Sequence, residues 1–104
     1  MSSSANTQVL DIRHDSAAGR FQAEVQGQRC VADYRLLPGQ ADTGTTMVFH
    51  HTGVPATLAG QGIAAKLVSH ALTHARNHGW RVQPACSYVR AYMRRHPETH
   101  DLLN

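Results

Sequence analysis
The feature that most constrains this chain is a change of hydrophobic period at Gly62. Before it, short stretches such as Phe21-Gln22-Ala23-Glu24-Val25 alternate apolar and polar residues, the two-residue period of a strand with one buried face. After it, Ile63, Ala64, Leu67, Val68, Ala71, Leu72 and Ala75 recur at three- and four-residue spacings. That spacing draws a single apolar stripe along an α-helix, with Lys66, Ser69, Thr73, Arg76 and Asn77 on the other side. Strands come first and helices follow, so the expected class is α+β.

Turn chemistry divides the rest. Val9 to His14 reads as a first strand, "HDSAAGR" as a turn, and "QGQ" at 26–28 as a hairpin turn. The third strand, Arg29 to Leu37, points Val31, Asp33 and Arg35 one way and Cys30, Ala32, Tyr34 and Leu36 the other. "PGQADTG" is a loop, and Thr45 to His51 a fourth strand rich in β-branched and aromatic residues. Gly79 is a left-handed stop for the long helix. "WRVQP" at 80–84 is a short fifth strand, and Ser87 to His96 a second helix ended by Pro97. The expectation is a small mixed, mostly antiparallel sheet of about five strands with two C-terminal helices, in the order β-β-β-β-α-β-α. Residues 1–7 read as a polar tail and 8–104 as one domain.

Composition narrows the functional classes. Ten Lys+Arg against seven Asp+Glu give a formal charge of +3, which suits an anionic ligand but is too mild to argue for nucleic acid. No apolar stretch approaches 18 residues, and "MSSSANTQ" lacks the apolar core of a signal peptide, so no membrane partner is expected. Cys30 and Cys86 lie far apart without a Cys-x-x-Cys spacing, which fits reduced thiols in the cytoplasm.

Gly60 and Gly62 stand at the mouth of the long helix. The first amides of a helix lack partners and carry partial positive charge, and a phosphate there satisfies both if no side chain blocks it. Alone, Gly-x-Gly fits a plain turn equally well.

The residues around it carry more. His51-Thr52, Val54-Pro55, Leu58, Gly60, Gly62-Ile63-Ala64, Pro84, Cys86, Tyr88, Tyr92 and His96-Pro97 follow in order. This run resembles the GNAT superfamily of acetyl-CoA-dependent N-acyltransferases, in particular its minimal single-domain branch with a Pro-x-Cys motif. The resemblance implies an N-acetyltransferase that moves an acetyl group from acetyl-CoA to a primary amine, either a small molecule or a protein lysine. It implies that Ala59, Gly60, Gln61, Gly62, Ile63 and Ala64 wrap the pyrophosphate through backbone N–H groups, that the strand through Val54 pairs with the pantetheine arm, and that Tyr88 lines the cofactor site. This chain departs from the branch at three positions. Ala59 replaces a basic residue, Thr57 a Gln or Arg, and Gly53 a residue that is often acidic.

Acetyl transfer to an amine needs a base for the ammonium, a donor for the carbonyl oxygen and an acid for the departing thiolate. His51 is the candidate base by side-chain type, a backbone N–H near Val54 the carbonyl donor, and Tyr92 the candidate acid. Cys86 precedes a helix start, which favours its thiolate, and Arg90 one turn on adds positive potential. Two readings of Cys86 stand: it carries the acetyl group covalently, or it lines the acetyl pocket while the amine attacks directly. A third alternative is a CoA-binding protein without efficient catalysis. His70, His74 and His78 recur every fourth residue and read as a solvated flank of the helix rather than a metal site, since no Cys or carboxylate accompanies them. Arg81, Arg90, Arg94 and Arg95 cluster in the last third without aromatic stacking residues, so CoA phosphates are the expected anionic partner and nucleic acid is not.

Overall fold
Alternation carries the first half of the chain into four antiparallel strands. The computed structural model describes residues 10–39 and 44–103. The strands are β1 (Arg13–Asp15), β2 (Arg20–Val25), β3 (Gln28–Leu37) and β4 (Thr46–Gly53). A 3-10 turn over Ala56–Leu58 leads to helix α1 (Ile63–Asn77), which is followed by β5 (Arg81–Pro84) and helix α2 (Ser87–Arg95). The sheet order is β1-β2-β3-β4-β5, antiparallel throughout except for β4 with β5, which the α1 crossover makes parallel. The fold is the expected α+β arrangement.

Register shows where the core sits. Phe21, Ala23 and Val25 stand opposite Ala32, Cys30 and Gln28, while Tyr34 and Leu36 stand opposite Phe49 and Met47. These inward rows and the stripe Ile63, Leu67, Val68, Ala71, Leu72 and Ala75 form one apolar cluster, which Val89 and Met93 of α2 also join. The core therefore lies on one face of the sheet. Val48, from the other face, is buried outside that cluster.

Two expectations are corrected, and two hold with an addition. The first strand is shorter than Val9 to His14: Val9 lies outside the described residues, and Leu10 and Ile12 pack against the core from a segment that is not strand. Leu36 shares the inward row but is 42% exposed, because it lies near the open end of β3. Pro97 ends α2 as expected, since the helix stops at Arg95 and His96 before the proline leaves the helical region. It occupies the first turn of a 3-10 segment, Pro97–Leu102, where its missing N–H costs nothing, and Leu102 is buried there.

The second correction concerns the helix histidines: His70 and His78 are exposed as expected, but His74 is half-buried and the flank carries ring contacts. His14 of β1 stacks on Phe21 with centroids 4.1 Å apart and meets His74 edge-on at 4.6 Å. His74 stacks on His78 at 4.1 Å, both rings contact Trp80, and His70 contacts Phe21. The rings that meet this flank come from β1 and β2, both remote in sequence, and from Trp80, two residues after His78.

One irregularity matters for the site. Asp33 pairs with His51 and Tyr34 with Phe49, so His50 is an extra residue in β4, a β-bulge.

Candidate active site
The bulge and the ends of β4 and β5 create a wedge. The two strands pair only from Thr46 to Phe49 against Arg81 to Pro84. Pro84 has no N–H to continue the ladder, Ala85 N turns back to Gln83 O at 3.1 Å, and Cys86 N donates to Phe49 O at 2.8 Å. β4 runs on to Gly53 without β5 beside it. Cys86 thus sits at the apex of the opening.

The bulge decides what faces that apex. Thr52 stands opposite Ala32 on the helix-covered face, and its Oγ1 lies 3.8 Å from Cys86 Sγ. Sequence reasoning placed Thr52 only within a motif and gave it no role, since a bulge is not visible in the hydrophobic pattern. Cys86 is the N-cap residue of α2. Partial burial pushes its thiol up, but hydrogen bonds from Val89 and Tyr88 N–H and from Thr52 outweigh this, so its acidity lies on the thiolate side of an ordinary cysteine. Arg90 takes no part in that shift: its guanidinium reaches back to Ala85 O at 3.4 Å. Cys30 is fully buried with its thiol pushed up by burial, a packing residue as its strand position implied. Both cysteines are free.

Beside the wedge, a cavity of about 280 Å³ is lined by Val54, Leu58, Ala59, Gly60, Gly62, Ile63, Ala64 and Tyr88. Seven of these are expected cofactor-site residues; Leu58 joins them, while Gln61 is exposed and does not line the cavity. Gly60 and Gly62 have φ of +83° and +76°, and a Cβ on either would meet no protein atom within 4 Å. The turn therefore leaves its backbone open on the side where a side chain would stand. α1 starts at this point with no side-chain cap and no acidic residue in its first turn, so its positive end is neutralised by nothing in that turn. These residues fit a diphosphate. Burial pushes the Tyr88 phenol up, opposed in part by Arg95, and keeps its proton in place at neutral pH.

The remaining candidates lie apart from this cavity. The bulge turns His51 to the uncovered face with Asp33, where its Nε2 would be 3.0 Å from a Cβ at position 53. Gly53 thus leaves room for the imidazole. Asp33 is held by Arg20 at 2.7 Å. Tyr92 stacks on His96 at 4.0 Å and lines an open groove with Ala65, Lys66 and Ser69 of α1. Thr57 exchanges hydrogen bonds with Gln28 at 2.9 and 3.1 Å, a structural tie to the start of β3. Arg81 is separate from Arg90, Arg94 and Arg95, since it donates to Asp101 O and Leu103 O at 3.3 and 3.5 Å. Among the described residues, no three His, Cys, Asp or Glu are grouped to hold a metal ion, and no helix is long and apolar enough to cross a membrane.

Comparison with known proteins agrees with this geometry. Among curated protein sequences none matches. The NMR solution structure of a GCN5-like N-acetyltransferase candidate from Staphylococcus aureus superposes with a TM-score of 0.67 at 22% identity, over 91% of this chain and 88% of that one, and so shares its fold. The model of the GCN5-related N-acetyl-transferase family matches residues 20–102, which take in every strand from β2 onward, both helices and the wedge between β4 and β5. The chain belongs to the GCN5-related N-acetyltransferase family.

Proposed function
We propose that the protein is an acetyl-CoA-dependent N-acetyltransferase acting on a primary amine by direct attack in a ternary complex. The observation that carries this reading is the cavity at the uncapped start of α1, with its two left-handed glycines, next to the opening between β4 and β5. Acetyl-CoA, when bound, supplies an acetyl group activated as a thioester.

Ala59, Gly60, Gly62, Ile63 and Ala64 hold the diphosphate by backbone N–H groups, and Val54 with the end of β4 holds the pantetheine arm. Backbone N–H groups near Val54 are the donors for the carbonyl oxygen. His51 takes the proton from the acceptor ammonium, the role that the missing side chain at Gly53 leaves open. Tyr88, which lines the cavity and keeps its phenolic proton, fills the acid's role that sequence reasoning gave to Tyr92. Cys86 and Thr52 line the apex. The acceptor is an exposed amine, a small molecule or a protein lysine.

Calorimetry with CoA, acetyl-CoA and dephospho-CoA, followed by CoA release over a panel of amines, tests the reading. Binding at micromolar to millimolar levels with turnover on some amine is expected. No heat at millimolar ligand sinks it, and tight binding with no turnover on any amine favours a CoA-binding protein instead.

A second reading is favoured by the acidified Cys86 thiol: its thiolate attacks the thioester carbonyl, CoA leaves as its thiol, and the acetyl group passes from Sγ to the amine. Incubation with acetyl-CoA alone then adds one acetyl mass that Cys86→Ser loses. An unmodified wild-type mass with an active Cys86→Ala variant ends this route.

A further inference from the structure
The ring cluster on the far flank of α1 lies outside the lining of the cavity at the start of that helix. We infer that His14, His70, His74 and His78 form an acid-sensitive latch that holds β1 and the segment before it against α1 when neutral and releases them when protonated.

The geometry makes β1 depend on this cluster. β1 is an edge strand of three residues, all exposed, paired with β2 from Arg13 to Asp15. Its inward-facing ring is His14, which lies parallel on Phe21, edge-on to His74, and shares a hydrogen bond with the buried Tyr34 hydroxyl. His74 stacks on His78, whose Nδ1 bonds His74 O at 2.9 Å. His70 meets Phe21 from the next turn of α1.

Neutral rings can pack at these separations, but two imidazolium ions with centroids 4.1 or 4.6 Å apart repel. Protonating His14 also restricts its bond with Tyr34: the Nδ1–H tautomer of the neutral ring lets Nε2 accept from the phenol, whereas a charged ring only donates.

On β1, Asp15 favours the charged form of His14. From β2 the contact is the uncharged Phe21, and Arg20 faces the other side, tied to Asp33. From β3 it is the Tyr34 phenol, itself pushed up by burial. From α1 come the other histidines, while Arg76 is bound to Asp101. Before β5 it is Trp80, uncharged. One carboxylate thus opposes four imidazoles. Burial, first, and the neighbouring imidazoles, second, hold both His14 and His74 below the usual histidine range.

The sign follows. Groups held neutral by folding take up more protons when released, so attachment of β1 is complete above the ordinary imidazole range and weakens as pH falls through it. Each unit of depression makes opening about tenfold easier per proton taken up. Ile12, just before β1, lines one side of the groove over Ala65, Lys66 and Ser69, so release of β1 also unwalls that groove.

Amide hydrogen exchange, corrected for intrinsic rates, tests this on the full chain between about pH 7.5 and 5.5, the window that brackets the imidazole range. Residues 12–15 should lose protection at least about tenfold more than residues 31–33 of β3, as His14 and His74 titrate by NMR below ordinary histidine. His14→Phe with His74→Phe keeps the rings and should flatten the pH dependence. His78→Gln, which is exposed, should leave β1 protected at neutral pH and raise the His74 midpoint. Histidines that titrate without any change in β1, or an unchanged slope in the Phe variant, overturn the latch. If the Phe variant does not fold, the wild-type titration and the His78→Gln midpoint decide by themselves.

Discussion

Replacing Gly60 and Gly79 by alanine separates backbone strain from ligand exclusion. Both glycines have positive φ, +83° and +70°, and a Cβ on either meets no protein atom within 4 Å. The strain is therefore alike. An L-residue in the left-handed region costs about 1–2 kcal/mol, of which about 0.4–1 kcal/mol returns through a stiffer unfolded chain, leaving roughly 1 kcal/mol. For a domain of this size that lowers Tm by about 4–8 °C in each variant. Binding should differ. Gly60 lines the cavity and Gly79 follows the other end of α1. A methyl where diphosphate meets the backbone removes contact with about two N–H donors, each worth about 1.5–3 kcal/mol to a charged oxygen, so CoA affinity should fall more than about a hundredfold. Thermal melts give the first quantity and calorimetric titration with CoA the second. If Gly60→Ala melts like Gly79→Ala and binds CoA within about threefold of wild type, half a logarithm or ~0.7 kcal/mol, the glycine serves only the turn.

Three further outcomes are expected. Alkylation of Cys86 by iodoacetamide, followed by peptide mass, should show a rate midpoint below the ordinary thiol range, while Cys30 stays unreactive in the folded protein because it is buried and its thiol is pushed up; equal reactivity of the two would refute the thiolate cradle. Gly19→Ala should cost at least about 2–3 kcal/mol in denaturant melts, since φ is +70° and the new Cβ would lie 2.3 Å from Tyr34 O. Arg76 holds Asp101 at 2.6 and 3.0 Å and the Glu98 carbonyl at 2.9 Å, with its hydrogen bonds depressing the Asp101 carboxyl. The tie between α1 and the C-terminal 3-10 segment is thus present above the ordinary carboxylate range and lost as pH falls through it, which exchange of amides 97–102 should show in wild type and not in Arg76→Ala.

Local pattern made most of the architecture legible. The period change at Gly62 located the start of α1, and alternation in Phe21–Val25 and Cys30–Tyr34 showed which side chains share a face. The glycine pair was legible because its demand, positive φ with nothing on the Cα, is a property of single residues. What escaped depends on pairing. The histidine flank looked solvated because two of its neighbours, His14 and Phe21, are brought to it only by the sheet. Tyr88 and Tyr92, one helical turn apart, could not be told apart by spacing; the packing of α2 turns one to the cavity and the other to the groove. Pro97 was legible as the stop of α2, but the 3-10 segment that it opens was not, because that segment is held by the burial of Leu102.

The single unpaired residue in β4 has a consequence for how this site tolerates change. A strand keeps count by twos, and His50 is where the count slips. Downstream of it Thr52 looks toward Cys86, and His51 and Gly53 look outward; upstream, Met47 and Phe49 look inward. Removing His50 would restore regular pairing with Phe49 and His51 as immediate neighbours opposite Tyr34 and Asp33, and every downstream side chain would keep its place. His51 is the same residue type, so removing it gives the identical chain; removing Thr52 would instead exchange the two sides, setting an imidazole or a bare glycine where the thiol now has a hydroxyl. Loss of a histidine and loss of Thr52 differ by one position in the chain and by what the thiol meets. In this protein, indels close to the opening are thus distinguished by phase and not by distance.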